Sequence, residues 1–296
     1  MQRNFLKSFY ILLVISLLSS CHSSNKPKII IGSKFFTEQV ILAELLAQHI
    51  EARTGISVER KTNLGGTLLV QKAMQSGGLD LYVEYTGTAL TAVLNDSPGT
   101  DSSVAIYNRV KQAYAQRFQM EVTEPLGFEN TFAMVIRGTD AQQLNLHKIS
   151  DILPFAPKWR VGVGYEFQER PDGYKGWSER YNLHFASEPS AMDLGLIYRA
   201  LVDKKVDIVA GNSTDGLIES LHLVALEDDL HYFPPYDAVP IVRQSTLQKF
   251  PQLRAALADL AGKITAADMR HLNYEIDAGQ RDVAVVVRAF RQSKGL

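Results

Sequence analysis

Side chains able to grip a small charged molecule gather in this sequence where strands end and turns begin. Lys34 follows the run KIIIGS, and Tyr85-Thr86-Gly87-Thr88 closes the run DLYVE. Arg170-Pro171-Asp172-Gly173 follows WRVGVGYEFQE, Asn212 to Gly216 follows VDIVAG, and Tyr236 lies in the proline-broken stretch YFPPYDAVP. Lysine, arginine and threonine hydroxyls are donors for a carboxylate, because hydrogen bonds to an ionised group are the strong ones. Aromatic faces attract a cation that has no N–H to donate, such as a quaternary ammonium. The two sets together match a zwitterion.

Other chemistry finds little support. The seven histidines are dispersed, with no pair four residues apart, and the single cysteine, Cys21, cannot complete a metal set. GSK at 32–34 lacks the spacing of a phosphate loop, and GNSTDG at 211–216 lacks that of a nucleophile elbow. Asp80 and Glu84 could be imagined as a glycosidase pair, but they share one side of a strand and read as a solvated face. No catalytic constellation, metal or cofactor is called for.

The elements that must position these side chains alternate. KIIIGSK reads as a buried strand, followed by a helix from Glu38 to about Arg53 that Thr37 caps and Gly55 closes. ISVERK is the next strand, NLGGT a glycine turn, Thr67 to Ser76 a short helix stopped by Gly77-Gly78, and DLYVEY a third strand. In that strand Leu81, Val83 and Tyr85 alternate with Asp80, Tyr82 and Glu84, and Gly87 permits the tight turn after it. After a helix at about 103–119 comes a second set: strand NTFAMVIRG, strand WRVGVGYEF, a helix near 172–181, strand LHFAS, a helix at 190–203 and strand VDIVAG. PYDAVPIVR is extended, with prolines that suit a crossover or a sheet edge. The chain from Thr246 onward is helical, with Thr265 as a cap. Two α/β sets with a late return to the first imply two crossings between lobes and a cleft at the carboxyl ends of both sheets.

At the amino end, Arg3 and Lys7 precede an apolar run from Phe9 to Leu18 that meets Leu18-Ser19-Ser20-Cys21. An apolar core of about ten residues is far short of the roughly 20 that span a bilayer, so residues 1–20 read as a signal peptide. Leu18 to Cys21 resembles a bacterial lipobox, which predicts a lipidated Cys21 on a polar linker, 21–27, and an extracytoplasmic, membrane-anchored protein. Losing Arg3 and Lys7 from 31 basic residues leaves 29 against 32 acidic ones, which is no nucleic-acid footprint.

IGSKFFTEQVILAELLA, NLGGT, DLYVEYTGTAL, RPDGYKGW, STDGLI and YFPPYDAVPIVR closely resemble the substrate-binding proteins of glycine betaine, choline and carnitine importers of the ABC class. The resemblance covers residues 28–296. It implies a two-lobed α/β periplasmic-binding-protein fold of the type II-like kind, with lobe 1 at 28–130 plus 235–296 and lobe 2 at 131–234. By position it implies carboxylate-binding roles for Lys34, Thr88 and Arg170 and cage walls at Tyr85 and Tyr236. Two positions depart from the family pattern: Phe132 stands where a tyrosine is expected, and Asn212 where many relatives carry an aromatic wall. The expected partners are a quaternary ammonium ligand and the permease subunits of an ABC importer. A ligand-sensing receptor and an enzyme on the same fold are the alternative readings.

Overall fold

The computed structural model describes residues 27–296. The signal sequence, Cys21 and the linker up to residue 26 lie outside the described residues. In chain order the strands are β1 (Lys28–Gly32), β2 (Ser57–Lys61), β3 (Leu81–Tyr85), β4 (Met120–Val122), β5 (Phe132–Arg137), β6 (Val161–Val163), β7 (Ser190–Ala191), β8 (Ile208–Asn212), β9 (Leu223–Leu226) and β10 (Ala238–Arg243). They form two five-stranded sheets of matching plan, β2-β1-β3-β10-β4 and β7-β6-β8-β5-β9. In each, three strands run parallel, and the strand that joins them from across the molecule, β10 or β5, lies antiparallel.

Each sheet is covered on both faces. Helix α1 (Thr37–Thr54) packs with the C-terminal helices Ala266–Asp277 and Val283–Lys294 through Leu42, Leu46, Ile50, Met269, Leu272 and Val286. Val70 and Met74 of helix α2 (Thr67–Ser76) join Ile106, Val110 and Tyr114 on the opposite face. Around the second sheet, Ile149, Trp177 and Tyr181 cover one face and Ile197, Tyr198 and Leu201 the other. Strands of a parallel sheet covered by helices on both sides lose their polar face. Every residue of β3 is accordingly buried, and the expected solvated face at Glu84 is not there. Glu84 lies in the core beside Lys34, while Asp80 accepts from the Ile30 amide (2.8 Å) and the Thr246 hydroxyl (2.6 Å).

Several local expectations are corrected. Thr37 does not cap α1; Phe36 holds that position, and the Thr37 hydroxyl donates instead to Asp277 at 2.6 Å. WRVGVGYEF is strand only at Val161–Val163, because Gly164 starts a helical turn, Tyr165–Glu169. LHFAS forms no strand: Phe185 stacks on Trp177 at 5.7 Å, and the sheet edge is the two-residue β7. Thr265 does cap its helix, in a reciprocal pair with Asp268. β10 is not an edge strand, yet it tolerates Pro240. The Pro240 carbonyl faces the Thr123 amide (3.0 Å), just beyond β4, so the missing N–H falls where the short edge strand has ended.

The chain crosses between the sheets twice, before β5 and before β10. The two crossing segments bridge at Glu129 and Asp237, and the Asn130 amide donates to the Tyr236 carbonyl at 3.1 Å. Among the described residues, every ion pair joins two residues of the same lobe. No helix of the described residues is long and apolar enough to cross a membrane.

Candidate functional site

Lys34, Tyr85, Thr88, Phe132, Arg170, Asn212 and Tyr236 all line one cavity of about 40 Å³ between the lobes. Lys34 follows the end of β1 at Gly32, β3 ends at Tyr85 and β8 at Asn212, Phe132 opens β5 after the first crossing, and Tyr236 lies in the second. Phe132 and Asn212 are partners in the β5–β8 register, so the two positions that depart from the family pattern sit side by side.

The cations are buried and paired. Lys34, 1% exposed, forms an ion pair with Glu84, and its Nζ lies 5.3 Å from the centre of the Tyr85 ring. Glu84 is held in turn by the Tyr85 amide at 2.8 Å. Arg170 donates from Nε and Nη2 to the two oxygens of Asp172, at 2.9 and 2.5 Å, and its guanidinium stands 5.0 Å from the Phe132 ring centre. Asp172 is thus its partner and is itself buried. Burial alone would push the Asp172 carboxyl up, and Arg170 outweighs it and holds the group below the usual carboxylate range. The Tyr236 hydroxyl also donates to Asp172, at 2.6 Å.

The rings form a connected wall. Phe132 meets Phe167 at 4.7 Å and Tyr236 at 6.0 Å, both edge to face, and Phe36 stacks on Tyr85 at 6.4 Å. Gly87 serves this wall by close approach. It sits in the helical turn Thr86–Thr88 with no left-handed φ, contrary to the expectation of a tight turn, and a Cβ there would meet the Tyr236 ring at 2.7 Å and the Pro235 carbonyl at 2.8 Å.

Sequence reasoning missed two carboxylates. Glu166 accepts from the Thr67 amide (2.7 Å) across the lobes, at the start of α2, where a carboxylate suits the free N–H groups. Burial would raise its pKa, but Lys34 and Arg170 hold it below the usual range. Glu38, the second residue of α1, accepts from Tyr85, Asn130, Thr214 and Asn273. Burial pushes its carboxyl up, against the pull of those donors. The only clue in the sequence is a charged residue opening an otherwise apolar helix, which also fits a favourable helix dipole. Beyond Asn212, Asp215 accepts from the Asn212 amide (2.9 Å) and the Tyr198 hydroxyl (2.5 Å), and burial raises its pKa from 3.8 to about 6.

Two outcomes are expected. Gly87→Ala forces the Tyr236 ring out of the wall, with a stability loss of about 1–3 kcal/mol in denaturant titrations. For Asp215, a folded pKa above the unfolded value means the folded state binds the extra proton between about pH 4 and 6. Its contribution to stability is present below that window and is lost as pH rises through it. Relative to Asp215→Asn, the wild type therefore gains up to roughly 3 kcal/mol on acidification from pH 7 to pH 4. A pH-independent difference between the two would contradict this assignment.

Residues 27–293 match the family described as the substrate binding domain of ABC-type glycine betaine transport systems. A carnitine transport binding protein of Listeria monocytogenes is 36% identical over 99% of this chain and 97% of its own length. An ergothioneine transport permease/ergothioneine binding protein of Helicobacter pylori is 32% identical over 92% of this chain and 48% of that protein. A crystal structure of a glycine betaine/carnitine/choline ABC transporter protein superposes with a TM-score of 0.75 at 30% identity, over 90% of this chain and 98% of that one. The match runs through both lobes and both crossings, and the chain belongs to the family of substrate-binding domains of ABC-type glycine betaine transport systems.

Proposed function

We propose that this protein captures a quaternary ammonium zwitterion outside the cytoplasm and hands it to the permease of an ABC importer. The observation that carries the reading is the meeting of Lys34, Thr88 and Arg170 with the rings of Tyr85, Phe132 and Tyr236 in one interlobe cavity. Carnitine, glycine betaine and ergothioneine, named for the family and its relatives, share a trimethylammonium group and a carboxylate, and the two halves of the site suit those two ends. The carboxylate faces Arg170, Lys34 and Thr88, and the ammonium packs on the rings. The cavity lies between the lobes, so the ligand enters as the lobes part and they re-form around it. Lobe 1 is taken as 28–130 plus 235–296 and lobe 2 as 131–234. Lipidation at Cys21 keeps the receptor at the membrane.

Asn212 in place of a ring leaves one side of the cage polar, which favours a betaine bulkier or more polar than glycine betaine. A thermal-shift panel of glycine betaine, carnitine, choline, proline and thiol-betaines tests the reading. A cognate ligand at 100 times its Kd adds about 2.7 kcal/mol of stability. No shift with any betaine overturns it.

Arg170→Ala is expected to weaken a carboxylate-bearing ligand about 10- to 150-fold in calorimetry and choline much less. Arg170→Lys, which keeps the charge without the fork, falls between. Equal losses for both ligands would remove Arg170 from the carboxylate end.

A further inference from the structure

Glu38 stands behind the cavity wall, and its two oxygens divide four donors between them. Oε1 accepts from the Tyr85 hydroxyl at 2.6 Å and Asn130 Nδ2 at 2.9 Å. Oε2 accepts from the Thr214 hydroxyl at 2.5 Å and Asn273 Nδ2 at 3.1 Å. Asn273 Nδ2 also donates to the Thr214 carbonyl at 2.9 Å, closing a ring of contacts. All five residues are buried. They come from different parts of the machine: Glu38, Tyr85 and Asn273 from the lobe on the first sheet, Asn130 from the first crossing, and Thr214 from the segment after β8 on the second sheet.

We propose that Glu38 is a latch that couples the ring wall at Tyr85 to closure of the lobes. It is a positioning residue, acting on ligand through Tyr85. A carboxylate in a dry site is tolerated only while its lone pairs are filled, and removing a donor from a buried charge costs more than a neutral hydrogen bond returns. Parting the lobes withdraws Thr214 from both Glu38 and Asn273, so the carboxylate is fully satisfied without water only when the lobes meet. Tyr85 contributes its ring to the cavity and its hydroxyl to the same carboxylate. A ligand that fixes the ring also fixes a donor of the latch, and this favours the closed state.

Thr214 lines no part of the cavity, so an effect of its substitution on ligand must pass through closure. The test compares Thr214→Val, which keeps the shape and loses the hydroxyl, with Thr214→Ser, which restores it. Lobe separation is read by small-angle X-ray scattering without added ligand. Dissociation of glycine betaine and carnitine is read by stopped flow.

Thr214→Val is expected to expand the particle and to speed dissociation about 10-fold or more, with little change in association. Thr214→Ser stays close to wild type in both. A site that merely supports the fold would lower stability and leave the dissociation rate alone. Tyr85→Phe combined with Thr214→Val is expected to cost less than the product of the single effects, because both act through one carboxylate. Glu38→Gln, which changes one acceptor to a donor, moves scattering and dissociation in the direction of Thr214→Val and decides the matter should that variant fold poorly.

Wild-type scattering and wild-type dissociation in Thr214→Val and Glu38→Gln would overturn the latch. The probes rest on the betaine reading, but the scattering does not. If the wild type binds no betaine, that reading fails by itself, and a compact Thr214→Val still refutes the latch.

Discussion

A cation buried between two moving bodies needs a counterion that moves with it. Taking an ammonium or guanidinium out of water is costly unless a partner follows it. Here Lys34 takes Glu84 from its own lobe and Arg170 takes Asp172 from its own. Both cations of the cleft are therefore paired before the halves meet, whereas the Glu166 carboxylate gains the charge of Lys34 only on meeting. Lys34 and Arg170 keep their partners when the lobes separate, and the direct contacts made on meeting are of another kind. They are hydrogen bonds, among them Thr214 to Glu38, Asn273 to the Thr214 carbonyl, the Thr67 amide to Glu166, and Tyr236 to Asp172.

The same pairing shapes the ligand chemistry. With Lys34 and Arg170 matched by Glu84 and Asp172, and the Glu166 carboxylate also lining the cavity, the site suits a molecule carrying both charges better than a simple anion. Two of the rings come from beside the chain crossings. Phe132 opens β5 just after the first crossing, and Tyr236 precedes β10 at the second, so two walls of the cavity are set beside the crossing segments. Gly87 shows how closely this is packed, since a single carbon at that position collides with the ring of Tyr236.

Most of the order of elements was legible locally, and so were the cavity residues at strand ends and turns, Lys34, Tyr85, Thr88, Arg170, Asn212 and Tyr236, whereas Phe132 was reached only through the family resemblance. Strand ends carry the polar residues, and the glycines at 55 and 77 do adopt the left-handed conformation that stops α1 and α2. What escaped depends on layers that a single segment does not reveal. Glu84 reads as exposed by alternation along its own strand, whereas the helices covering both faces of the sheet bury it beside Lys34. LHFAS has strand-like residues, but Phe185 is drawn to Trp177 and leaves the pairing to Ser190 and Ala191. Glu38 was invisible for a different reason. Its four donors lie 47, 92, 176 and 235 residues away along the chain, and no short motif records such a meeting.

The confinement of ion pairs to single lobes has a consequence for the surroundings in which the protein works. Dissolved salt weakens attraction between exposed charges, with a screening length of about 10 Å at 0.1 M that shrinks to about 3 Å at 1 M. A cleft shut by charges reaching across it would loosen as ionic strength rose outside the cell. In this protein the ion pairs of the described residues stay within one lobe, and the charge attraction that does cross, Lys34 on Glu166, is largely buried, so dissolved salt screens it much less than it would an exposed pair.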